Sequence, residues 1–261
     1  MSATLPNFFL AGAPKAGTTS LTRYLGQHPE IFVSAIKEPH FFASEIRAAR
    51  FAAAEHRTAA GIISERGAYE ALFRDAGSAK AVGDASVCYL WSATAAANIA
   101  ATIPQARILL VLRDPADRAF SQYVQGVAKK YIHCDLRDHI SASLKETDGL
   151  FRITYPFLQL GEYASQIRRF QQHFPAAQIH IRLYEDFQRD PHVFLHEVFE
   201  FLGVDSGFAP NFSQRAHVYA ERESLTLSAA DRRWLVEYYR EGILELQELV
   251  GRDLSAWLRW E

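Results

Sequence analysis

Phe8-Phe9-Leu10-Ala11-Gly12-Ala13-Pro14-Lys15-Ala16-Gly17-Thr18-Thr19-Ser20-Leu21 reads as a buried strand, a tight turn and the start of a helix. Phe8–Ala11 is apolar at every position, the signature of a strand covered on both faces. Thr18–Gln27 then sets Leu21, Tyr24 and Leu25 on one helical face. A strand–turn–helix of this kind brings the unpaired N–H groups of a first helical turn and the positive end of its dipole to one place, which suits an anion. Gly12 and Gly17 let the backbone approach an oxygen closely, and Thr18, Thr19 and Ser20 add hydroxyl donors. The alternative is an ordinary glycine-rich turn; the density of hydroxyl groups directly after a buried strand favours the anion site.

The turn is close to the nucleotide-binding pattern G-x-x-x-x-G-K-[ST], but it departs from it at a telling place. Gly12 and Gly17 keep the spacing and Thr19 holds the hydroxyl position, while Thr18 stands where the lysine should be. The lysine lies three residues earlier, at Lys15. A lysine at the tip of the turn would sit over one phosphate and reach its outer substituent, which fits a nucleotide whose single 5′-phosphate carries a transferable group.

Working outward, further short apolar runs at Ile31–Val33, Lys80–Val82, Ile108–Leu112 and Ile179–Leu183 read as buried strands. Helical patterns separate them at Ala116–Val127, Tyr163–His173 and His192–Leu202, with a long amphipathic tail over Ser228–Val250 that is expected to break near Gly242. Strands alternating with helices predict an α/β fold: a P-loop-like open parallel β-sheet flanked by helices. No linker divides the 261 residues, so one domain over 1–261 is expected. The 28 Lys and Arg against 30 Asp and Glu leave a net charge of −2, which argues against a general nucleic-acid binder. No apolar run reaches the roughly 18 residues of a membrane span. Met1–Pro6 has neither a basic n-region nor a long apolar h-region, so no signal peptide and a cytoplasmic location are expected. Cys88 and Cys134 are too few for a disulfide framework, and no histidine spacing suggests a metal site.

A second anion grip is expected after the most apolar strand, in Arg113-Asp114-Pro115-Ala116-Asp117-Arg118-Ala119-Phe120-Ser121-Gln122-Tyr123. Arg113 leaves the carboxyl end of the strand, where open α/β sheets bind ligands. Ser121 lies about two turns along the next helix, and an arginine fork with a serine hydroxyl can hold one phosphate. Taken alone, Arg113 could instead pair with Asp114 or Asp117, while Arg118 supports the fold through carboxylates or carbonyls. Two separate grips imply a nucleotide phosphorylated at two places.

These residues resemble a known family. Ala13–Leu21 resembles the 5′-phosphosulfate loop of the sulfotransferases that use 3′-phosphoadenosine 5′-phosphosulfate (PAPS), and Arg113–Tyr123 resembles their 3′-phosphate motif. Lys37-Glu38-Pro39-His40-Phe41-Phe42 is similar to the segment carrying the catalytic base in heparan sulfate sulfotransferases, and Tyr238–Trp257 looks like the C-terminus of many bacterial members. The resemblance implies that Ala16, Gly17, Thr18, Thr19 and Ser20 hold the 5′-phosphate of PAPS and that Lys15 neutralises the leaving phosphate. It implies that Arg113 and Ser121 hold the 3′-phosphate, and that Glu38 is the general base with His40 orienting it or sharing the proton. The last nucleotide clamp falls to Arg215 or Arg222. Two departures stand out: Ala85 occupies the place of a lysine in the heparan sulfate enzymes, and their C-terminal disulfide loop is absent.

On the residues alone, Glu38 could also cap a helix or pair with Lys37 or Arg23, His40 could be a semi-buried structural histidine, and Asp84 could be a second acidic group or a strand-end cap. The polar stretch Lys129–Leu160 is expected to be an irregular, substrate-facing lid, with Tyr155, Phe157, Tyr163 and Tyr219 as candidate acceptor-site aromatics. The expected reaction is sulfuryl transfer to a hydroxyl of a sugar, lipid or small natural product, without a metal. The rivals are a P-loop kinase or NTPase using ATP-Mg, with Asp114 as a Walker-B acid, and a non-catalytic nucleotide-binding protein.

Overall fold

The computed structural model describes residues 5–47, 62–145, 156–213 and 225–260. The chain divides into two compact units, residues 1–112 with 168–216 and residues 113–167 with 217–261. The first unit holds five parallel strands: β1 Phe8–Gly12, β2 Ile31–Val33, β3 Ala81–Asp84, β4 Arg107–Leu112 and β5 Ile179–Leu183. Their order across the sheet is β2-β3-β1-β4-β5. Chain direction reverses between β1 and β4, because the connection from β1 runs out to β2 while that from β4 runs to β5. Ligands of such sheets bind outside the carboxyl ends at that reversal.

Burial follows position in the sheet. All five residues of β1 are buried, as are the last five of β4. Four of the five residues of the edge strand β5 are half-exposed, and it accordingly carries His180 and Arg182. Gly83 in β3 is a packing requirement: a Cβ there would come within 2.2 Å of the Phe8 ring. Around the sheet lie α1 Thr18–Leu25, α2 Arg66–Ala71 and α3 Ala95–Thr102. The second unit is built on α4 Pro115–Ala128 and α5 Leu136–Lys145. α6 Tyr163–Gln171 crosses from the second unit into the first, which also holds α7 Tyr184–Arg189 and α8 Pro191–Leu202, while α9 Ala229–Val250 belongs to the second.

The helix starts are written in the chain. Asp114 precedes Pro115 and accepts from the amides of Ala116 and Asp117, and Asp190 precedes Pro191 and accepts from His192 and Val193. In the second unit α9 packs against α4, with Leu235, Val236 and Tyr239 buried.

Three expectations change. The tail helix α9 runs unbroken through Gly242, where an added Cβ would meet nothing within 4 Å. An exposed glycine costs about 1 kcal/mol but does not end a helix anchored on both sides. Lys129–Leu160 is not wholly irregular: α5 occupies Leu136–Lys145, held by buried Leu136 and Ile140, and a 3₁₀ turn covers Gln159–Gly161. Residues 146–155 of that stretch, Tyr155 among them, lie outside the described residues, as does Tyr219. Phe157 and Tyr163 are 2% exposed, which makes them core rather than lining.

Candidate functional site

The turn after β1 ends at Gly17, the N-cap of α1, in the left-handed region at φ 76°. An added Cβ at Gly17 would lie 2.7 Å from the Tyr184 ring, so both conformation and space demand glycine. Leu21 N–H is bonded to Gly17 C=O, and the N-cap Gly17 has no side chain to cap the first turn of α1. The amides of Thr18, Thr19 and Ser20 therefore head the helix without a partner one turn back in it, a ready cradle for an oxyanion. The turn itself is pinned by Ala13 N–H to Val111 C=O at 2.6 Å and Ala16 N–H to Ala13 C=O at 3.2 Å. Lys15 is half-exposed at its tip, with φ 69°.

Glu38 and His40 stand beyond the end of β3, the strand paired with β1. Both are non-glycine residues in the left-handed region, at φ 62° and 57°. Such conformations cost on the order of 1 kcal/mol or more and persist where surrounding bonds enforce them. Glu38 N–H donates to Ala85 C=O at 3.1 Å, and Leu90 N–H ties the following turn to Ala11 C=O of β1 at 2.9 Å. The Glu38 carboxylate takes Lys37 Nζ at 3.0 Å on Oε1 and faces His40 Nε2 at 3.9 Å on Oε2. His40 is 1% exposed. Of the two cations considered for Glu38, Lys37 is the partner found. Ala85 contributes its carbonyl to the Glu38 amide, and the cation beside Glu38 is its own sequence neighbour Lys37.

Beneath this pair lies a fully buried carboxyl, Asp84. Ser86 Oγ donates to its Oδ1 at 2.7 Å, and Tyr69 and Tyr89 hydroxyls both donate to Oδ2 at 2.8 Å. Burial raises its pKa to about 6, with the charge of Glu38 adding to the rise and the three hydroxyls opposing it. The same burial and the Asp84 charge hold the Tyr69 and Tyr89 hydroxyls well above the usual tyrosine range.

In the second unit, Arg113 is buried at 8% exposure and its carbonyl accepts the Tyr163 hydroxyl at 2.9 Å. Ser121 is half-buried on α4. Asp114 and Asp117, the carboxylates weighed as partners of Arg113, both accept from Arg232 of α9 at 2.7 Å. Burial and the neighbouring Asp117 raise the Asp114 carboxyl while Arg232 lowers it. Arg118 is fully buried and donates to Gln122 Oε1 at 2.7 Å and Phe157 C=O at 2.6 Å. Arg215 and Arg222 lie outside the described residues.

The model of the Sulfotransferase family matches residues 6–209, from before the first turn to beyond α8. The chain belongs to the sulfotransferase family. A crystal structure of a sulfotransferase from Alicyclobacillus acidocaldarius is 31% identical with a TM-score of 0.87, over 98% of this chain and all of that one. The human bifunctional heparan sulfate N-deacetylase/N-sulfotransferase 3 is 26% identical over 98% of this chain. The human heparan sulfate glucosamine 3-O-sulfotransferase 3B1 is 27% identical over 96%. The chain spans 31% and 65% of the lengths of these two proteins.

Within this sulfotransferase, the sequence reading missed Tyr69, Cys88 and Arg232. Tyr69 stands 15 residues from the carboxylate it contacts and Arg232 stands 118 residues from Asp114, separations at which no periodicity carries a signal. Cys88 could have been found: it lies two residues beyond Ser86, on the same alternation as Asp84. Among the described residues no helix is long and apolar enough to cross a membrane.

Proposed function

We propose that this protein transfers a sulfuryl group from PAPS to the hydroxyl of an acceptor, as one sulfotransferase domain over residues 1–261. The observation that carries the reading is the pairing of an uncapped, hydroxyl-rich helix start after β1 with a strained Glu38–His40 pair beyond the adjacent β3, inside the residues matched by the family. The donor set of the turn fits an oxyanion. The amides of Ala16 to Ser20 and the hydroxyls of Thr18, Thr19 and Ser20 would hold the 5′-phosphate. Lys15 would place its ammonium where negative charge grows on the departing phosphate oxygen. Arg113 and Ser121 would hold the 3′-phosphate, with Arg215 or Arg222 as the further clamp.

Glu38 takes the proton of the acceptor hydroxyl as its oxygen forms the new bond to sulfur and the bond from sulfur to the phosphate oxygen breaks. His40 orients the carboxylate through its Nε2 face, and Lys37 holds the other oxygen. Sulfuryl transfer proceeds in line, so positioning and charge stabilisation dominate. Both named human relatives act on heparan sulfate by their names, which supports a glycan among the three acceptor classes. The ATP reading loses its best support, because Asp114 is occupied as a helix cap and as the partner of Arg232.

The test is transfer from ³⁵S-labelled PAPS to a panel of glycan, lipid and phenolic hydroxyls. Glu38→Gln should lower kcat by about 10²–10⁴-fold, the usual value of general-base assistance, and leave nucleotide affinity unchanged. Unaltered turnover in that variant would take the base role away from Glu38, and hydrolysis of ATP-Mg without sulfuryl transfer would replace the reading.

A further inference from the structure

We infer that Cys88 is a positioning residue that fixes the ring of His40, as the last rung of a ladder formed by alternate side chains from the end of β3 through the turn that follows it. This rests on the reading of Glu38 as the base.

The ladder is made of Asp84, Ser86 and Cys88. Ser86 gives its hydroxyl hydrogen to Asp84 Oδ1 at 2.7 Å, which turns an oxygen lone pair toward the His40 amide, 3.4 Å away. Asp84 is itself fixed by the Tyr69 and Tyr89 hydroxyls. Two residues further on, Cys88 Sγ lies 2.8 Å from His40 Nδ1, and both side chains are fully or almost fully buried. With the carbonyl of Ala85 holding the Glu38 amide, the backbone of residues 38–40 is tied at both left-handed positions, and the ring is tied as well.

The ring contact has a chemical consequence. Nε2 faces the Glu38 carboxylate and Nδ1 faces sulfur. A neutral imidazole that takes the Cys88 S–H on the Nδ1 lone pair carries its own hydrogen on Nε2, the side that looks toward the Glu38 carboxylate 3.9 Å away. The thiol thus selects one ring orientation and one tautomer, the one that points a hydrogen at Oε2 of Glu38. Outer partners of this kind set the direction and tautomer of a histidine, and their loss typically costs about 10- to 100-fold at sites where the histidine is a ligand.

The test separates ring geometry from turnover. In ¹H–¹⁵N spectra of the wild-type protein without substrate, His40 should show its hydrogen on Nε2. Cys88→Ala should broaden or shift that signature and lower kcat for sulfuryl transfer about 10- to 100-fold, with KM for PAPS unchanged. Cys88→Ser, which keeps a donor in the same place, should restore most of both. A wild-type ring carrying its hydrogen on Nδ1, or a Cys88→Ala protein with native spectrum and native kcat, overturns the inference. Should Cys88→Ala fail to fold, the wild-type spectrum and the Cys88→Ser variant decide. A correct ring signal in a protein that transfers no sulfuryl group would leave the ladder standing and overturn the proposed reaction instead.

Discussion

Asp84 is a carboxyl enclosed by three donating hydroxyls, and its titration has a definite sign. An unfolded aspartate ionises near 3.8, whereas burial moves the folded group to about 6. Between those values the unfolded chain gives up a proton that the native protein keeps, so this group's contribution is present below pH 4 and is lost as pH rises through 6. The difference amounts to about 3 kcal/mol. Asp84→Asn cannot ionise and keeps acceptor capacity for the tyrosines. Denaturant unfolding of both proteins at pH 4 and pH 7 should show the variant gaining about 3 kcal/mol relative to wild type at the higher pH. A difference independent of pH would mean that Asp84 does not titrate in this window. Neither Asp84's enclosure nor its hydroxyl partners could be read locally: Ser86 is near in sequence, but Tyr69 reaches it only because a helix outside the sheet folds back onto β3.

At the scale of elements, two helix starts carry the candidate site, and each rests on one residue. Gly17→Ala would force alanine into the left-handed region, costing about 1–2 kcal/mol, and push a methyl group against Tyr184. Unfolding should register a loss of about 2 kcal/mol or more, together with weakened nucleotide binding; a loss below 0.5 kcal/mol would show that the turn relaxes freely. Asp114→Ala would remove the cap of α4 and leave Arg232 with one carboxylate in place of two, whereas Asp117→Ala leaves the cap intact. The first should cost about 1–2 kcal/mol more than the second. Equal losses in the two variants would assign the stabilisation to Arg232 pairing alone. These starts were legible because Gly, Asp and Pro declare them. The middle of α5 was not, since its ten residues bury only Leu136 and Ile140 in a polar run, and α3 was hidden by alanines that fit any backbone.

For the whole molecule, the five strands were legible because a parallel strand with both faces covered must be apolar along its length, as Phe8–Ala11 and Ile108–Leu112 are. Ile31–Val33 and Ile179–Leu183 keep their expected bounds, while the other three shift by one or two residues: β3 runs on to Asp84, a charged residue that apolar patterning excludes and that hydroxyl partners make tolerable. The turn after β1 was legible for the same reason as the strand before it, since glycine spacing is fixed by backbone geometry. Thermal unfolding tests directly whether the two phosphate grips serve one ligand. Adenosine 3′,5′-bisphosphate at about 100 times its Kd should add about 2.7 kcal/mol, a rise of several degrees in Tm, while ADP and ATP-Mg should add much less. A rise with ATP-Mg alone would point to a phosphoryl donor.

The left-handed backbone of Lys15 and Glu38 sets protein quality and chemistry against each other. Glycine adopts that conformation without penalty, so Lys15→Gly and Glu38→Gly should each raise stability by about 0.5–1 kcal/mol. His40, whose buried ring would leave a hole, is exempt from this gain. A mutant library sorted only for heat resistance should therefore enrich glycine at 15 and 38, and the survivors should be better behaved in the tube and inert toward any acceptor.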